Sequence, residues 1–160
     1  MVTALVTGWP YDERRRVEII KENFKTEVCF NMPEYPFGVD RAAGGTWKNG
    51  EVSLCGGYDG DSYVQQCYSL KNSEWTTIGT LQEGISGHGA SNIGSSIWLT
   101  GGKGNYVYLA STEIINPDGK ITPGPDLPQP RYGHCQISYG QSTFIIGKCI
   151  FSPKLWIKSQ

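Results

Sequence analysis

Val52-Ser53-Leu54-Cys55-Gly56-Gly57 is an apolar run closed by two glycines, and 45 residues later the chain repeats it as Ile97-Trp98-Leu99-Thr100-Gly101-Gly102. Thr143-Phe144-Ile145-Ile146-Gly147 follows 46 residues on, with Lys148 in place of the second glycine. Upstream, Thr3-Ala4-Leu5-Val6-Thr7-Gly8 ends 48 residues before Gly56, with Trp9 in the second glycine's place. Four occurrences in one phase mark an internal repeat, and a period of this length decides the architecture before any local pattern does.

Other features keep the phase. Ala43, His88 and His134 each stand thirteen residues before a strand-end glycine, and each follows a small residue: Ala42, Gly87 and Gly133. Val17-Glu18-Ile19-Ile20 and Thr112-Glu113-Ile114-Ile115 both lead through a polar turn to a proline pair, Pro33/Pro36 and Pro128/Pro130. Gln66-Cys67-Tyr68-Ser69-Leu70 and Glu74-Trp75-Thr76-Thr77-Ile78 supply two further short strands after the glycine pair. Each complete unit is therefore four short strands joined by Gly, Asn, Asp and Pro turns. Val17, Ile20 and Phe24 are also spaced for a helix face, but the match to Thr112–Ile115 favours a strand there.

Composition agrees. The chain has 160 residues, 38% hydrophobic, with 21 glycines and nine prolines, which suits many short strands better than long helices. A net charge of −1 gives no basic field toward nucleic acid or anionic lipid. No apolar run reaches the 18 or so residues of a spanning helix, and Met1 to Thr7 does not read as a signal peptide.

The glycine pair followed by Tyr68 and, after six intervening residues, Trp75, together with Pro130-Arg131-Tyr132-Gly133-His134, resembles the Kelch repeat. The likeness runs over about residues 2 to 149; the third unit carries Ile114 and Ile121 where Tyr68 and Trp75 stand. It implies an all-β fold of Kelch-type β-propeller blades, each of four antiparallel strands. The expected units are 1–32, 33–78, 79–124 and 125–150, with residues 151–160 a tail outside the repeat. Three, four, four and two strands make thirteen, barely more than three blades, whereas a ring closes with about four to eight. The chain is thus expected to be an open, incomplete propeller: a fragment of a larger protein, or one that associates with itself or another chain through its open blade faces. Gly8, Gly56, Gly57, Gly101, Gly102 and Gly147 are the expected strand-end residues. Tyr68 and Trp75 are the expected fillers between blades.

The resemblance also implies binding of a protein or peptide through the loops at one end of the blades, on a rigid scaffold. Those loops carry Tyr11, Arg14, Arg15 and Arg16, then Tyr58, Asp59, Asp61 and Tyr63, then Lys103, Asn105, Tyr106 and Tyr108. Tyrosines mixed with both signs of charge are the composition enriched at binding surfaces. Arg41 and Arg131 are expected to be buried structural residues at the blade starts. His88 and His134 recur by architecture rather than for catalysis.

Cys55 and Cys67 close a predicted hairpin and face each other across it, as a disulfide or as two buried thiols. A bond there implies an extracellular or secretory setting; without it a cytoplasmic one is favoured. Enzyme motifs fail in turn. Gly101-Gly102-Lys103-Gly104-Asn105 lacks the Ser/Thr and leading glycine of a P-loop, and the third glycine of a dinucleotide loop. Asp59-Gly60-Asp61 lacks the glycine and glutamate of an EF-hand, and no G-x-S-x-G elbow occurs. The expectation is a non-catalytic module with no cofactor. The rivals are a copper enzyme resembling galactose oxidase, hinted at by Tyr68 beside Cys67 and His134 beside Cys135, and a truncated copy without independent activity.

Overall fold

A computed structural model describes the backbone of strands at 2–6, 18–21 and 26–28, and residues 33–47 and 49–147 with their side chains. Among these residues there is no helix, and every paired strand is antiparallel. Four strands, β4 (Ala43–Thr46), β5 (Val52–Cys55), β6 (Gln66–Lys71) and β7 (Glu74–Thr80), form one sheet in chain order. A second sheet repeats that order with β8 (Gly89–Ile93), β9 (Ser96–Thr100), β12 (Thr112–Ile115) and β13 (Ile121–Pro123). Between β9 and β12 sits a hairpin of β10 (Lys103–Gly104) and β11 (Val107–Tyr108), a stretch the sequence reads as loop. A three-stranded sheet of β1 (Val2–Val6), β2 (Glu18–Lys21) and β3 (Thr26–Val28) precedes these sheets. A hairpin of β14 (Cys135–Tyr139) and β15 (Ser142–Ile146) follows them. Ile19 pairs with Leu5, so residues 18–21 are strand and not helix.

The glycine pairs end the second strand of each sheet with nearly identical backbones. Gly56 and Gly57 have φ of 63° and 104°, and Gly101 and Gly102 have 59° and 102°. Both members lie in the left-handed region that side chains disfavour. The second of each pair ties its sheet to the segment leading into the next unit: Gly57 N donates to Ile85 O and Gly102 N to Arg131 O, both at 2.7 Å. A further line of bonds runs from unit to unit, Gly87 N to Arg41 O and Gly133 N to Gly87 O, both at 2.8 Å.

This register corrects two sequence alignments. Gly87 and Gly133 match Arg41, so the counterpart of His88 and His134 is Ala42 and not Ala43. Ala43 pairs with Cys55 just as Gly89 pairs with Thr100, and the β4–β5 hairpin is one residue longer. The partner of Leu54 is Tyr68 and that of Leu99 is Glu113, so Tyr68 corresponds to Glu113 rather than Ile114. Ile121, opposite Ile115 as Trp75 is opposite Leu70, does occupy the place of Trp75.

Two apolar clusters flank the first four-stranded sheet. Cys55, Cys67, Leu81, Ile85, Ile97, Leu99 and Ile115 fill the space between it and the second sheet. On its other face Tyr35, Val39, Leu54 and Val64 form a cluster joined by Phe37, Tyr68 and Trp75. Tyr35 is fully buried and meets Phe37, Tyr68 and Trp75 edge-on at 5.6, 5.5 and 4.9 Å. Trp75 Nε1 donates to Pro33 O at 3.1 Å. Rings of this size bury roughly 150–250 Å² apiece, so this cluster carries much of the hold on residues 33–42.

Cys55 and Cys67 are bonded, directly opposite each other in β5 and β6 and fully buried. Cys135 is free and exposed. At the matching place in the second sheet stand Thr100 and Thr112. Thr100 Oγ1 meets His134 Nε2 at 3.0 Å. His88 has no such hydroxyl, because the equivalent residue is the bridged Cys55, and neither of its ring nitrogens has a hydrogen-bond partner. Burial lowers His88 to about 4; the Ala43 backbone opposes this without reaching hydrogen-bond geometry, and His134 reinforces it. Burial, then Arg131, lowers His134 to about 4 as well. Burial raises the Glu113 carboxyl, opposed by the Gln82 amide and reinforced by Glu83.

Two outcomes are expected of this core. Closing so short a loop is worth about 3 kcal/mol by chain entropy, so the Cys55→Ala/Cys67→Ala variant should unfold at correspondingly lower denaturant. Denatured but unreduced protein should show at least two fewer thiols than reduced protein, and equal counts would contradict the bridge. The second concerns pH. Both imidazoles titrate near 6.5 when unfolded and near 4 when folded, so between these values the unfolded chain binds protons the folded chain refuses. Stability should be level above about pH 6.5 and fall toward pH 4, by up to about 3 kcal/mol per imidazole, with Glu113 offsetting part of the loss. Melting temperature against pH checks this: His88→Leu should flatten the profile by about half. A wild-type profile level from pH 6.5 to 4 would contradict it.

Candidate functional site: a circuit of tyrosines and cations on the loop face

The β5–β6 loop, the segment 81–88, the β10–β11 hairpin and the turn at 130–133 converge at the glycine-pair end of the sheets. Isolated bridges stitch them together: Asp40 with Tyr58, Tyr58 with Tyr63, and Ser86 with Lys103. Their side chains form a closed circuit. Tyr58 meets Tyr63 at 5.3 Å, and Tyr63 meets Tyr106 at 5.8 Å. Lys103 Nζ lies 5.7 Å from the Tyr106 ring and 5.5 Å from that of Tyr108. Tyr108 meets Tyr132 at 5.8 Å. Arg41 closes the circuit, 5.9 Å from the Tyr132 ring and 5.8 Å from the Tyr58 ring. It also donates through Nη1 to the Tyr132 hydroxyl and pairs with Asp40 at 3.0 Å. Cations at these distances from ring centres are attracted by the aromatic quadrupole, by about 0.5–1 kcal/mol when exposed.

The backbone is held in costly conformations to present these groups. Arg41 has φ of 55°, where the matching residues of the next two units are Gly87 at 61° and Gly133 at 62°. Asn105 and Tyr106 form the two-residue tip of the β10–β11 hairpin at φ of 46° and 64°. Such a turn favours Asn-Gly, and a tyrosine in its second place is strained. Tyr106 is nevertheless 72% exposed, so packing does not account for it. Strain of this kind collects at functional positions.

The sequence-derived set divides accordingly. Tyr58, Tyr63, Lys103, Tyr106 and Tyr108 are brought together. Asn105 holds the hairpin turn, and Asp61 lies beside Tyr63 on a groove wall. Asp59 serves its own loop: Oδ1 accepts from Asp61 N at 2.8 Å and Ser62 N at 2.7 Å, and Oδ2 from Ser62 Oγ at 3.1 Å. Burial works against its charge, but these bonds prevail and hold the carboxyl below its ordinary range. Tyr11, Arg14, Arg15, Arg16 and Gly8 lie outside the described residues. Gly147, at φ of 120°, accepts from Arg131 Nη1 at 3.3 Å.

Arg131 is buried, as expected, but Arg41 is exposed in the circuit, contrary to the expectation of a buried role. Tyr132 is a member that sequence reasoning misses. A non-glycine at a position where other units carry glycine is the available signal for Arg41.

Two cavities open at opposite ends of the sheets. One, about 390 Å³, lies on the loop face among Asp61, Tyr63, Glu83, Gly84 and Tyr106. The other, about 470 Å³, lies among the hairpin turns at Trp47, Glu51, Lys71 and Asp118, with Glu51 paired to Lys71 at 3.4 Å. Among the described residues no three His, Cys, Asp or Glu side chains are grouped as metal ligands.

No protein-family model matches the chain. It is 31% identical to Spermatocyte protein spe-26 of Caenorhabditis elegans over 152 aligned residues, covering 88% of this chain and 26% of that protein. The chain thus spans about a quarter of the length of this curated relative. Among solved structures, that of YjhT superposes with a TM-score of 0.71 at 17% identity, over 86% of this chain and 46% of that one. This chain and that part of YjhT share a fold.

Proposed function

We propose that this chain is part of a Kelch-type β-propeller, about three blades of an unclosed ring, and that it binds a protein or peptide through its loop face without catalysing a reaction. The repeated four-stranded sheets, their matching glycine pairs and the inter-sheet bonds support the architecture. At its far end the β14–β15 hairpin leaves Ile137, Tyr139 and Ile146 exposed, which suits a surface completed by further blades or by another chain.

The observation that carries the binding function is the closed circuit of five tyrosines, Lys103 and Arg41. Tyrosine and arginine dominate binding hot spots because they offer large, stiff, amphipathic contact area. Here they are pre-positioned by backbone bridges, which lowers the ordering cost of association. The disulfide favours an oxidising compartment for this domain. The residues that suggested copper chemistry do not support it: Cys67 is bonded to Cys55 and so has no thiol for a crosslink to Tyr68. His134 is buried against Thr100.

Selection of a displayed random peptide library on the intact chain tests this function. Binders should emerge whose affinity falls at least about 30-fold, the effect of a 2 kcal/mol hot spot, in Tyr132→Ala or Lys103→Ala. Failure to enrich any binder, or binders indifferent to both substitutions, would count against it. The strained tip yields a companion outcome. Tyr106→Gly should stabilise the fold by about 1 kcal/mol, raising the melting temperature by about 2–4 °C, while weakening those binders. A lower melting temperature would mean that Tyr106 is there for stability.

A further inference from the structure

The groove on the loop face is lined on one side by the 61–65 loop and on the other by Glu83, Gly84 and the hairpin tip. Its aromatic walls are Tyr63 and Tyr106, edge-on at 5.8 Å and 81°. Asp61 and Glu83 are its charged lining residues, and no cationic side chain lines it. Among the described residues neither carboxylate forms an ion pair, the observed pairs being Arg41–Asp40 and Lys71–Glu51. Lys103 leaves this imbalance in place, since its ammonium is engaged over Tyr106 and Tyr108. Beside the groove the Tyr58 phenol is raised, chiefly by desolvation, with smaller contributions from Tyr106, Asp61, Tyr63 and Asp59.

The walls are also fixed before any ligand arrives. Leu81 N donates to Gln65 O at 2.9 Å and Ile85 N to Val64 O at 3.2 Å, joining the loop to segment 81–85. Ser86 and Lys103 exchange both backbone bonds, at 3.0 and 2.9 Å, and hold the hairpin against the same segment. A cavity of about 390 Å³ admits one long side chain with its flanking backbone. Two aromatic rings and two uncompensated carboxylates favour a cation through quadrupole and charge together. An anion would be repelled, and an apolar group would desolvate the carboxylates without replacing their hydration.

We propose that this groove receives a basic side chain, arginine or lysine, of a bound peptide segment, with its charged head between Asp61 and Glu83 and its stem against Tyr63 and Tyr106. The assignment rests on the loop face being a peptide-binding surface, and it names the chemistry that surface selects.

Titration of the isotope-labelled intact chain with acetyl-Gly-Arg-Gly-amide and its Lys, Ala and Glu counterparts, followed by amide chemical shifts, tests it. The Arg and Lys peptides should shift residues 61–65, 83–84 and 105–106 saturably, and the Glu and Ala peptides should not. Asp61→Asn/Glu83→Gln should weaken the effect at least tenfold with the remaining spectrum unchanged. Equal shifts from the Glu or Ala peptide would overturn the cation preference while leaving the peptide surface standing. So would library-derived binders that lack basic residues yet depend on Tyr132 and Lys103. No saturable shift from any peptide, together with no enriched binder from the library, would overturn both.

Discussion

Successive sheets in this chain are held by backbone amides that only a left-handed residue can aim. Gly57 and Gly102 each end a strand, turn, and donate at 2.7 Å to a carbonyl of the segment leading into the next sheet. Side chains at either place would collide: a Cβ on Gly57 would lie 2.9 Å from that of Val39, and one on Gly102 3.0 Å from that of His88. From that constraint the apolar cluster of Cys55, Leu81, Ile97 and Leu99 inherits its location. The loops after each pair inherit a common end, and the circuit of tyrosines and cations can assemble there because its parts arrive from equivalent corners of different units.

The same geometry separates positions that relax the backbone from positions that strain it. Gly87 and Gly133 occupy a left-handed corner at little cost, whereas Arg41 holds that corner with a charged side chain and sits in the circuit. The β6–β7 turn, Asn72-Ser73, is also left-handed at both residues, but it lies at the opposite end of the sheet and has polar side chains suited to it. Tyr106 has no such excuse. Fold-forming positions are thus occupied by residues that relax the backbone, and the loop face by residues that strain it, a departure from local rules that fits the proposed binding role.

Legibility in the sequence divides along the same line. The glycine pairs announce strand ends because a φ near 100°, as at Gly57 and Gly102, admits almost nothing else, and Cys55 facing Cys67 can be read from the hairpin they close. The four strands of each unit are visible as short apolar runs between turn residues. Register is less so: one extra residue in the β4–β5 hairpin slips the glycine count and makes Ala43 look like the partner of His88. Apolar bulk likewise aligns Ile114 with Tyr68, whereas strand pairing puts the buried Glu113 there, its carboxylate accepting from Gln82 N at 3.2 Å. The β10–β11 hairpin escapes notice because Asn-Tyr is a poor signature for the turn it makes. Tyr132 escapes because which corners meet in space is not encoded in spacing along the chain, and Arg41 is marked only by standing where the other units carry glycine.

Native-state hydrogen exchange at the amides of Gly57, Gly87, Gly102 and Gly133 tests the central claim most directly. If inter-unit backbone bonds hold the array, all four should exchange slowly and at similar rates, opening only when the sheets themselves unfold. Rapid exchange at Gly57 and Gly102, with the amides of β5 and β9 still protected, would show that the sheets stand independently and that the glycine pairs do not join them.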